Sequence, residues 1–434
     1  MYRMPRNALW STPLGSRSIG SSSRCPWHIP NVTPRLRHST DSYPVTIACG
    51  QGSNWSRLKN WRLCIGDQYM SVRGLCFTPV YCHQKPTLTS SSPDGYVVAS
   101  IYSFAPTLVD RFEVQRIRDQ LHTTLDNWKT TGRIYVAEEG INAQMAYPRE
   151  REAQLQKLLF STPLLHPLRY EWNQSLDQTR GRDSFPDLRV KVKRQIVADG
   201  LVGPTSVNVH QHWPEHLESD EFERHIRQLS SWKEPSDLTD PSESHSTTPQ
   251  LVDMRNHYES TIGYFVGATR FDCDTYQEAV HALDDLAQTL DPTQPVLMYC
   301  TGGIRCSKAG AYLKSQGFAS VKVLKGGITA YGRMAQERPT HSSLFVGKNF
   351  TFDARRGERI SPVVVGRCHQ CNSPCDTYTN CVNTACHQLL LQCPTCAERF
   401  QNTCGGSHCF PLDTKQSTPP YNYHRQVRPA SLVK

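Results

Sequence analysis

From Tyr96 onward the apolar positions alternate between two periods, one of strands and one of helices. Tyr96–Phe104 reads as a strand. Leu108–Trp128 sets Phe112, Ile117, Leu121 and Leu125 at helical spacing, and Gly132 breaks that run before a second strand, Arg133–Ala137. A second helix is expected over Glu150–Phe160, and Leu168–Trp172 and Leu188–Val197 alternate like strands. Further along, 214–229 reads as a helix, Leu251–Met254 as a strand, Thr275–Leu290 as a helix and Pro295–Cys300 as a buried strand. Ser307–Gln316 is then a helix ended by Gly317, Val321–Gly327 a strand, and Ile328–Arg333 the start of another helix.

These elements predict a multidomain chain. The order strand–helix–strand–helix–strands over 96–203 predicts a small ferredoxin-like α+β domain. The regular alternation over 250–345 predicts an α/β domain with a parallel sheet covered on both faces. Between them, 204–249 reads as a connector whose Ser230–Pro249 stretch, rich in Ser, Thr, Pro and Asp, is a disordered insertion. A Cys-rich module (346–410) and a polar tail (411–434) follow. Residues 1–95 show no period and read as a leader, closed by the linker Thr87–Pro93.

Composition changes this picture in two places. The net charge is +9, but six arginines within residues 1–40, which hold no Lys, Asp or Glu, supply most of it. The remaining body is only mildly basic, so bulk charge does not argue for nucleic-acid binding. With seven serines, that leader has the composition of an organellar transit peptide, so mitochondrion or plastid is the expected destination. A leader without an address, and a cytoplasmic protein, is the alternative. No run of about 18 apolar residues occurs, which excludes a membrane-spanning helix. Of the 17 cysteines, nine lie between Cys368 and Cys409, which points to metal binding in a reducing compartment rather than a disulfide framework.

The sharpest chemical feature is Pro295-Val-Leu-Met-Tyr-Cys300-Thr-Gly-Gly-Ile-Arg305-Cys306. An apolar strand runs into a cysteine, a glycine-bearing turn and then a helix. Ligands of open α/β sheets bind at such strand ends. Gly302 and Gly303 let the loop curl so that amides of Thr301, Gly302, Gly303 and Ile304 turn inward, with a helix N-terminus behind them. Arg305 adds a permanent cation. The set favours thiolate at Cys300 and stabilises a sulfur anion attached to it. Cys306 is a candidate redox partner, against the plainer reading of a small buried helix residue.

This loop resembles the active-site loop of the rhodanese superfamily, a cysteine, four residues and an arginine. Leu251-Val-Asp253-Met-Arg255-Asn-His257-Tyr258-Glu259 resembles its early D-x-R strand. Gly263-Tyr-Phe-Val-Gly267-Ala268 resembles its G-H-I-x-G-A turn, with Tyr264 and Phe265 at the usual His and Ile, and Gly326-Gly327-Ile328 its late G-G-x segment. Related dual-specificity phosphatases have a loop one residue longer, so the length here favours sulfur chemistry. The wording C-T-G-G-I-R-C-x-K-A is similar to the bacterial tRNA uridine hydroxylase group of rhodanese-domain proteins. Gly132-Arg-Ile-Tyr-Val-Ala-Glu138-Glu139-Gly140-Ile141-Asn142 matches that group's G-R-I-x-x-A-x-E-G-I-N segment, and Phe185–Val197 its basic strand, with Gln195 where an acid is usual.

The resemblance implies an oxygen-dependent hydroxylation of the wobble uridine of tRNA, with Cys300 and Arg305 catalytic, molecular oxygen as co-substrate and the N-terminal domain facing RNA. A plain sulfurtransferase carrying a persulfide on Cys300, fed by a thiol or sulfane-sulfur donor, is the alternative. A non-enzymatic binding scaffold is a further one. Arg189, Lys191 and Lys193 share one face of the Leu188–Arg194 strand and are the candidate RNA-binding residues, against the plainer reading of a solvated sheet face. Lys308, Lys322, Lys325 and Arg333 are expected to extend that surface. Cys368, Cys371, Cys375, Cys381, Cys386, Cys393, Cys396, Cys404 and Cys409 are the candidate ligands of structural zinc, with His369, His387 and His408 nearby. Their pairing is open.

Overall fold

The computed structural model describes residues 94–201, 206–229, 248–338 and 342–410, together with two strands, β1 (Trp61–Ile65) and β2 (Gln68–Val72). The chain divides into two compact units, Met1–Pro86 and Thr87–Lys434. In the first unit β1 and β2 pair antiparallel, from Trp61 opposite Val72 to Ile65 opposite Gln68. The leader therefore contains a hairpin that its irregular hydrophobic pattern did not announce. The transit-peptide reading of residues 1–40, the Ser/Thr/Pro/Asp-rich run at 230–247 and the tail at 411–434 lie outside the described residues.

The second unit opens with β3 (Tyr96–Phe104), α1 (Arg111–Asn127), β4 (Thr131–Ala137), β5 (Gly140–Pro148), α2 (Glu152–Phe160), β6 (Tyr170–Gln174) and β7 (Leu188–Val192). They form a five-stranded sheet in the order β6-β3-β5-β4-β7, antiparallel except that β7 runs parallel to β4. The Asp110 side chain accepts from the amides of Phe112 and Glu113 and caps α1, a contact typically contributing about 1 kcal/mol. Val114, Ile117, Leu121 and Leu125 turn inward from α1, whereas Phe112, expected in the apolar stripe, is 87% exposed in the first turn. Val97, Ala99 and Ile101 of β3, with Ile141, Ala143 and Met145 of β5, pack under the helices. The period of two then sends Val98, Ser100 and Tyr102, and Asn142, Gln144 and Ala146, to the opposite face. β5, the middle strand of this sheet, is the element missing from the expected order.

Next come β8 (Glu215–Leu217), α3 (Ser219–Gln228), β9 (Thr248–Asp253), α4 (His257–Ser260), β10 (Gly263–Phe265), β11 (Ala268–Arg270) and α5 (Tyr276–Ala287), then β12 (Val296–Tyr299), α6 (Ile304–Ser315), β13 (Val321–Leu324) and α7 (Gly327–Glu337). Strands β11-β9-β12-β13-β8 make an all-parallel sheet. Val296 and Met298 of β12 face a core with α5 and α6, and Leu297 and Tyr299 face one that includes Phe222 of α3 and Tyr331 of α7. Residues 215–228, assigned by sequence to the connector and to one helix, are thus an edge strand and a covering helix of this sheet.

The C-terminal part begins with β14 (Phe345–Asn349), which pairs with β10 and with β15 (Glu358–Arg359). A hairpin, β16 (Tyr378–Asn380) and β17 (Leu389–Leu391), and a short α8 (Pro394–Arg399) complete it. Tyr378 and Leu391 pack with Tyr258, Ile262 and Phe350, and the Tyr378 hydroxyl donates to the Tyr258 carbonyl at 2.8 Å. The Cys-rich module therefore rests on α4.

Candidate active site

Cys300 directly follows β12, at the carboxyl end of the parallel sheet, and is fully buried. The turn beyond it depends on Gly303, whose φ of 100° lies in the left-handed region. A Cβ there would also stand 2.7 Å from the Tyr102 hydroxyl. The turn brings the Gly303 amide to donate to Cys300 Sγ at 3.1 Å. From the other side, amides at the start of α7 hold the loop: Ile328 N–H donates to the Cys300 carbonyl at 3.0 Å, and Thr329 N–H to the Thr301 carbonyl at 3.1 Å. Gly327 permits this approach, since a Cβ would lie 2.5 Å from the Cys300 carbonyl oxygen.

Burial pushes the Cys300 thiol up, but the Cys306 thiol, the Arg305 guanidinium and the amides of Cys306 and Gly303 outweigh it and bring it down to about 6. Cys306 moves the other way. Burial and the neighbouring Cys300 hold it well above the usual thiol range, so it serves as a protonated donor toward a thiolate. Arg305, expected from the sequence as a permanent cation, has a carboxylate partner. Its guanidinium forms a two-pronged ion pair with Glu259, at 2.5 and 2.7 Å, inside the protein. Thr301 Oγ1 donates to the same carboxylate at 3.0 Å. Glu259 in turn accepts from the Asn256 amide at 3.1 Å at the start of α4. Arg305 therefore anchors the loop to α4 while its charge still favours the thiolate. Asp253 and Arg255 of the D-x-R segment form a separate buried pair that braces the Gly263 carbonyl.

Cys300 lines a cleft at the meeting of three segments. The loop Cys300–Arg305 forms one wall. Ser100, Asn142, Gln144 and Asn173 of the N-terminal sheet form the wall across from it, and Phe352, Asp353 and Arg355 of the C-terminal part close the side. Buried polar contacts fix the two sheets together. Lys308 of α6 is 3.0 Å from both Glu139 and Asp199, and Glu139 also accepts from the Ile196 amide at 2.7 Å. Ser307 bridges Tyr102 and His216 at 3.2 and 3.0 Å, and burial pushes the His216 imidazole down to about 4. On the third segment, Arg355 donates to the Asp177 carbonyl at 2.6 Å and the Ser175 hydroxyl at 3.1 Å.

Comparison with known proteins gives the same three-part division. Residues 96–196 match the UPF0176 acylphosphatase like domain, 234–334 the Rhodanese-like domain, and 346–410 the Rhodanase C-terminal family. A protein of Enterobacter sp. (strain 638) named tRNA uridine(34) hydroxylase is 41% identical over 317 residues, 73% of this chain and 82% of that protein. Proteins of the same name from Escherichia fergusonii and Pectobacterium carotovorum subsp. carotovorum are 38% and 40% identical, over 72% and 66% of this chain and 81% and 74% of theirs.

The chain belongs to the tRNA uridine(34) hydroxylase family.

Two further groups of candidate residues in this family member are placed by the fold. Eight of the nine clustered cysteines form two quartets, Cys368, Cys371, Cys393, Cys396 and Cys381, Cys386, Cys404, Cys409, with the sulfurs of each within 4.8 Å of one another. Cys371 to Cys393 and Cys386 to Cys404 are 3.6 and 3.9 Å apart. Zinc–sulfur bonds of about 2.3 Å in a tetrahedron require edges of about 3.8 Å, so the donor sets fit a four-thiolate metal ion. Cys375 belongs to neither quartet; it is buried, its thiol directed at the Thr377 carbonyl. His369, His387 and His408 also lie outside both. The quartets interleave along the chain, so each clamps segments flanking the other.

Arg189 and Lys191 are exposed on β7, and Lys193 is exposed just past its end, on the face their alternation predicts. Arg189 pairs with Asp187 at 2.9 Å, and Lys193 lies 5.3 Å from the centre of the Tyr135 ring. The residues expected to extend this surface are each engaged within the protein. Lys308 is buried in its carboxylate pairs, Lys322 and Lys325 are paired with Glu215 and Glu218, and Arg333 donates to the Gln174 carbonyl. Asn142 belongs to the Glu138–Asn142 segment, which the family resemblance made a candidate to face substrate, and it lines the cleft. Glu259, Gln144 and Arg355 were not singled out by sequence as site residues; Glu259 lay inside a quoted motif, which was the available signal.

Proposed function

We propose that this protein hydroxylates the wobble uridine of tRNA, with Cys300 acting on the base as a thiolate. The observation that carries this reading is the make-up of the cleft: the lowered thiol of Cys300 shares it with neutral hydrogen-bonding side chains contributed by another domain. A base taken out of its stack is bound in such a setting. Gly303 and Cys306 hold the thiolate, and the Arg305–Glu259 pair holds the loop. Molecular oxygen is the co-substrate in this reading. Zinc in the two cysteine quartets is structural, keeping the C-terminal part folded against α4. Two zinc ions per chain are expected in metal analysis of protein purified without chelators.

The sulfurtransferase reading keeps one observation in its favour, the six-residue loop from Cys300 to Arg305 around a stabilised thiolate. Nucleoside analysis separates the two. Cells lacking the protein are expected to lose hydroxylated wobble uridine, the intact chain to restore it and Cys300→Ser not to. Unchanged tRNA nucleosides, with rapid thiosulfate-to-cyanide transfer by the pure protein, would reject the hydroxylase reading.

A further inference from the structure

Asn142 and Gln144 have no task in holding Cys300, yet both line its cleft. They stand two residues apart on β5, on the face opposite the helix-packed Ile141, Ala143 and Met145. Asn142 is fixed in a way that Gln144 is not. Its Nδ2 donates to the Ile196 carbonyl at 3.0 Å. That carbonyl can only accept, so the amide cannot be turned over without setting two oxygens against each other. One N–H of Asn142 is thereby committed, and Oδ1 and the second N–H keep a defined order.

We propose that Asn142 reads the Watson–Crick edge of the uracil in the cleft, Oδ1 accepting from the uracil N3–H and the second Nδ2–H donating to uracil O4. This rests on the wobble-uridine reading and adds how the base is chosen. In the uracil ring C6 lies directly across from N3, and C5 beside it. A base held at N3 by β5 turns its C5–C6 bond away from the sheet, toward the wall that carries Cys300. Cytosine presents the reverse pattern, an acceptor at N3 and a donor at N4, and both contacts become repulsive. A site built around such a hydrogen-bonding pattern rejects the wrong partner strongly, because its own polar groups are left unpaired. Gln144 carries no fixed partner among the described hydrogen bonds, so it adapts to the base and contributes affinity without choosing. Phe352, whose ring centre is 5.8 Å from the Arg305 guanidinium carbon, offers the cleft an aromatic face for stacking.

The test uses the full chain and tRNA transcripts carrying uridine, 3-methyluridine or cytidine at the wobble position, with product measured by nucleoside mass spectrometry. The unaltered protein is expected to act on uridine and to reject 3-methyluridine and cytidine by about a hundredfold or more. Asn142→Ala should lower uridine turnover about tenfold to a hundredfold and shrink the preference over 3-methyluridine to a few-fold. Gln144→Ala should lower turnover while leaving all ratios as they were. Thermal melting of each variant separates loss of fold from loss of choice. No product from the unaltered protein would reject the hydroxylase reading and this inference together. Product from the folded Asn142→Ala variant with undiminished discrimination would overturn the inference alone.

Discussion

The Cys300 loop and the C-terminal cysteine module both gather sulfur, and they handle its negative charge in opposite ways. At Cys300 one thiol is surrounded by donors: a protonated Cys306, two amides and an arginine whose own charge is tied to Glu259. In the module, two sets of four thiols each crowd within 4.8 Å, an arrangement that metal coordination would stabilise. The first keeps its sulfur free to react, whereas the second sets eight of its nine sulfurs in two four-thiol donor sets. The difference teaches that neither burial nor cysteine density marks a reactive thiol. What marks it is the balance of donors against the number of competing thiolates.

The strongest way to break this contrast is a crossed pair of substitutions. Cys300→Ser should remove at least about a thousandfold of the activity on tRNA, since it takes away the reacting group, and should leave metal content and melting temperature unchanged. Cys368→Ala should do the reverse in kind: about one metal ion lost per chain and a module that melts early. Because Tyr378 of the module holds the Tyr258 carbonyl on α4, activity should fall with it, through the displaced Glu259. Cys375→Ala, outside both quartets, should retain all the metal. A Cys375 variant that lost metal as Cys368→Ala does would undo the assignment of the quartets.

The legibility of these regions in the sequence follows the range of the interactions that build them. Strand β12, the glycine turn and α6 are contiguous, so the loop around Cys300 could be read locally. Its electrostatics could not, because Glu259 lies 46 residues before Arg305 and meets it only through the fold. β5 was missed although it is central to its sheet. It has few β-branched residues, and one of its faces is polar because that face lines the cleft. β8 is three residues long, too short to register a period. The cysteine spacings announced metal, and the interleaved partition became visible only when the hairpin and α8 set the sulfurs side by side. On β7 the alternation of charge was legible, whereas the carboxylates that occupy the lysines of the neighbouring domain were not.

A pH profile sharpens the contrast at the level of the reactive thiol. With Cys300 near 6 and the thiolate as the working form, kcat/KM should be flat above that value and fall about tenfold per pH unit below it. Cys306→Ala removes the largest of the contributions that hold the thiol down, so its acidic limb should shift to higher pH, with little loss of rate well above it. An acidic limb in the same place in the variant would show that Cys306 is only a packing residue.

The smallest expected effect lies on β7, away from both sulfur systems. Reversing Arg189, Lys191 and Lys193 to Glu should weaken tRNA binding without altering metal content or the pH limb of Cys300. Three fully free phosphate-binding cations would change the slope of log affinity against log salt by about 0.9 each. Two of these three are already engaged, Arg189 with Asp187 and Lys193 over Tyr135. The loss of slope should therefore be nearer one cation's worth than three, and the loss of affinity at moderate salt about tenfold. Lys191, exposed and with no ion pair among the described residues, should account for most of it when reversed alone. Binding of tRNA to the triple variant with unchanged affinity and salt slope would mean that RNA approaches the cleft from another side. Such a result would leave the contrast between the free thiolate and the committed quartets untouched.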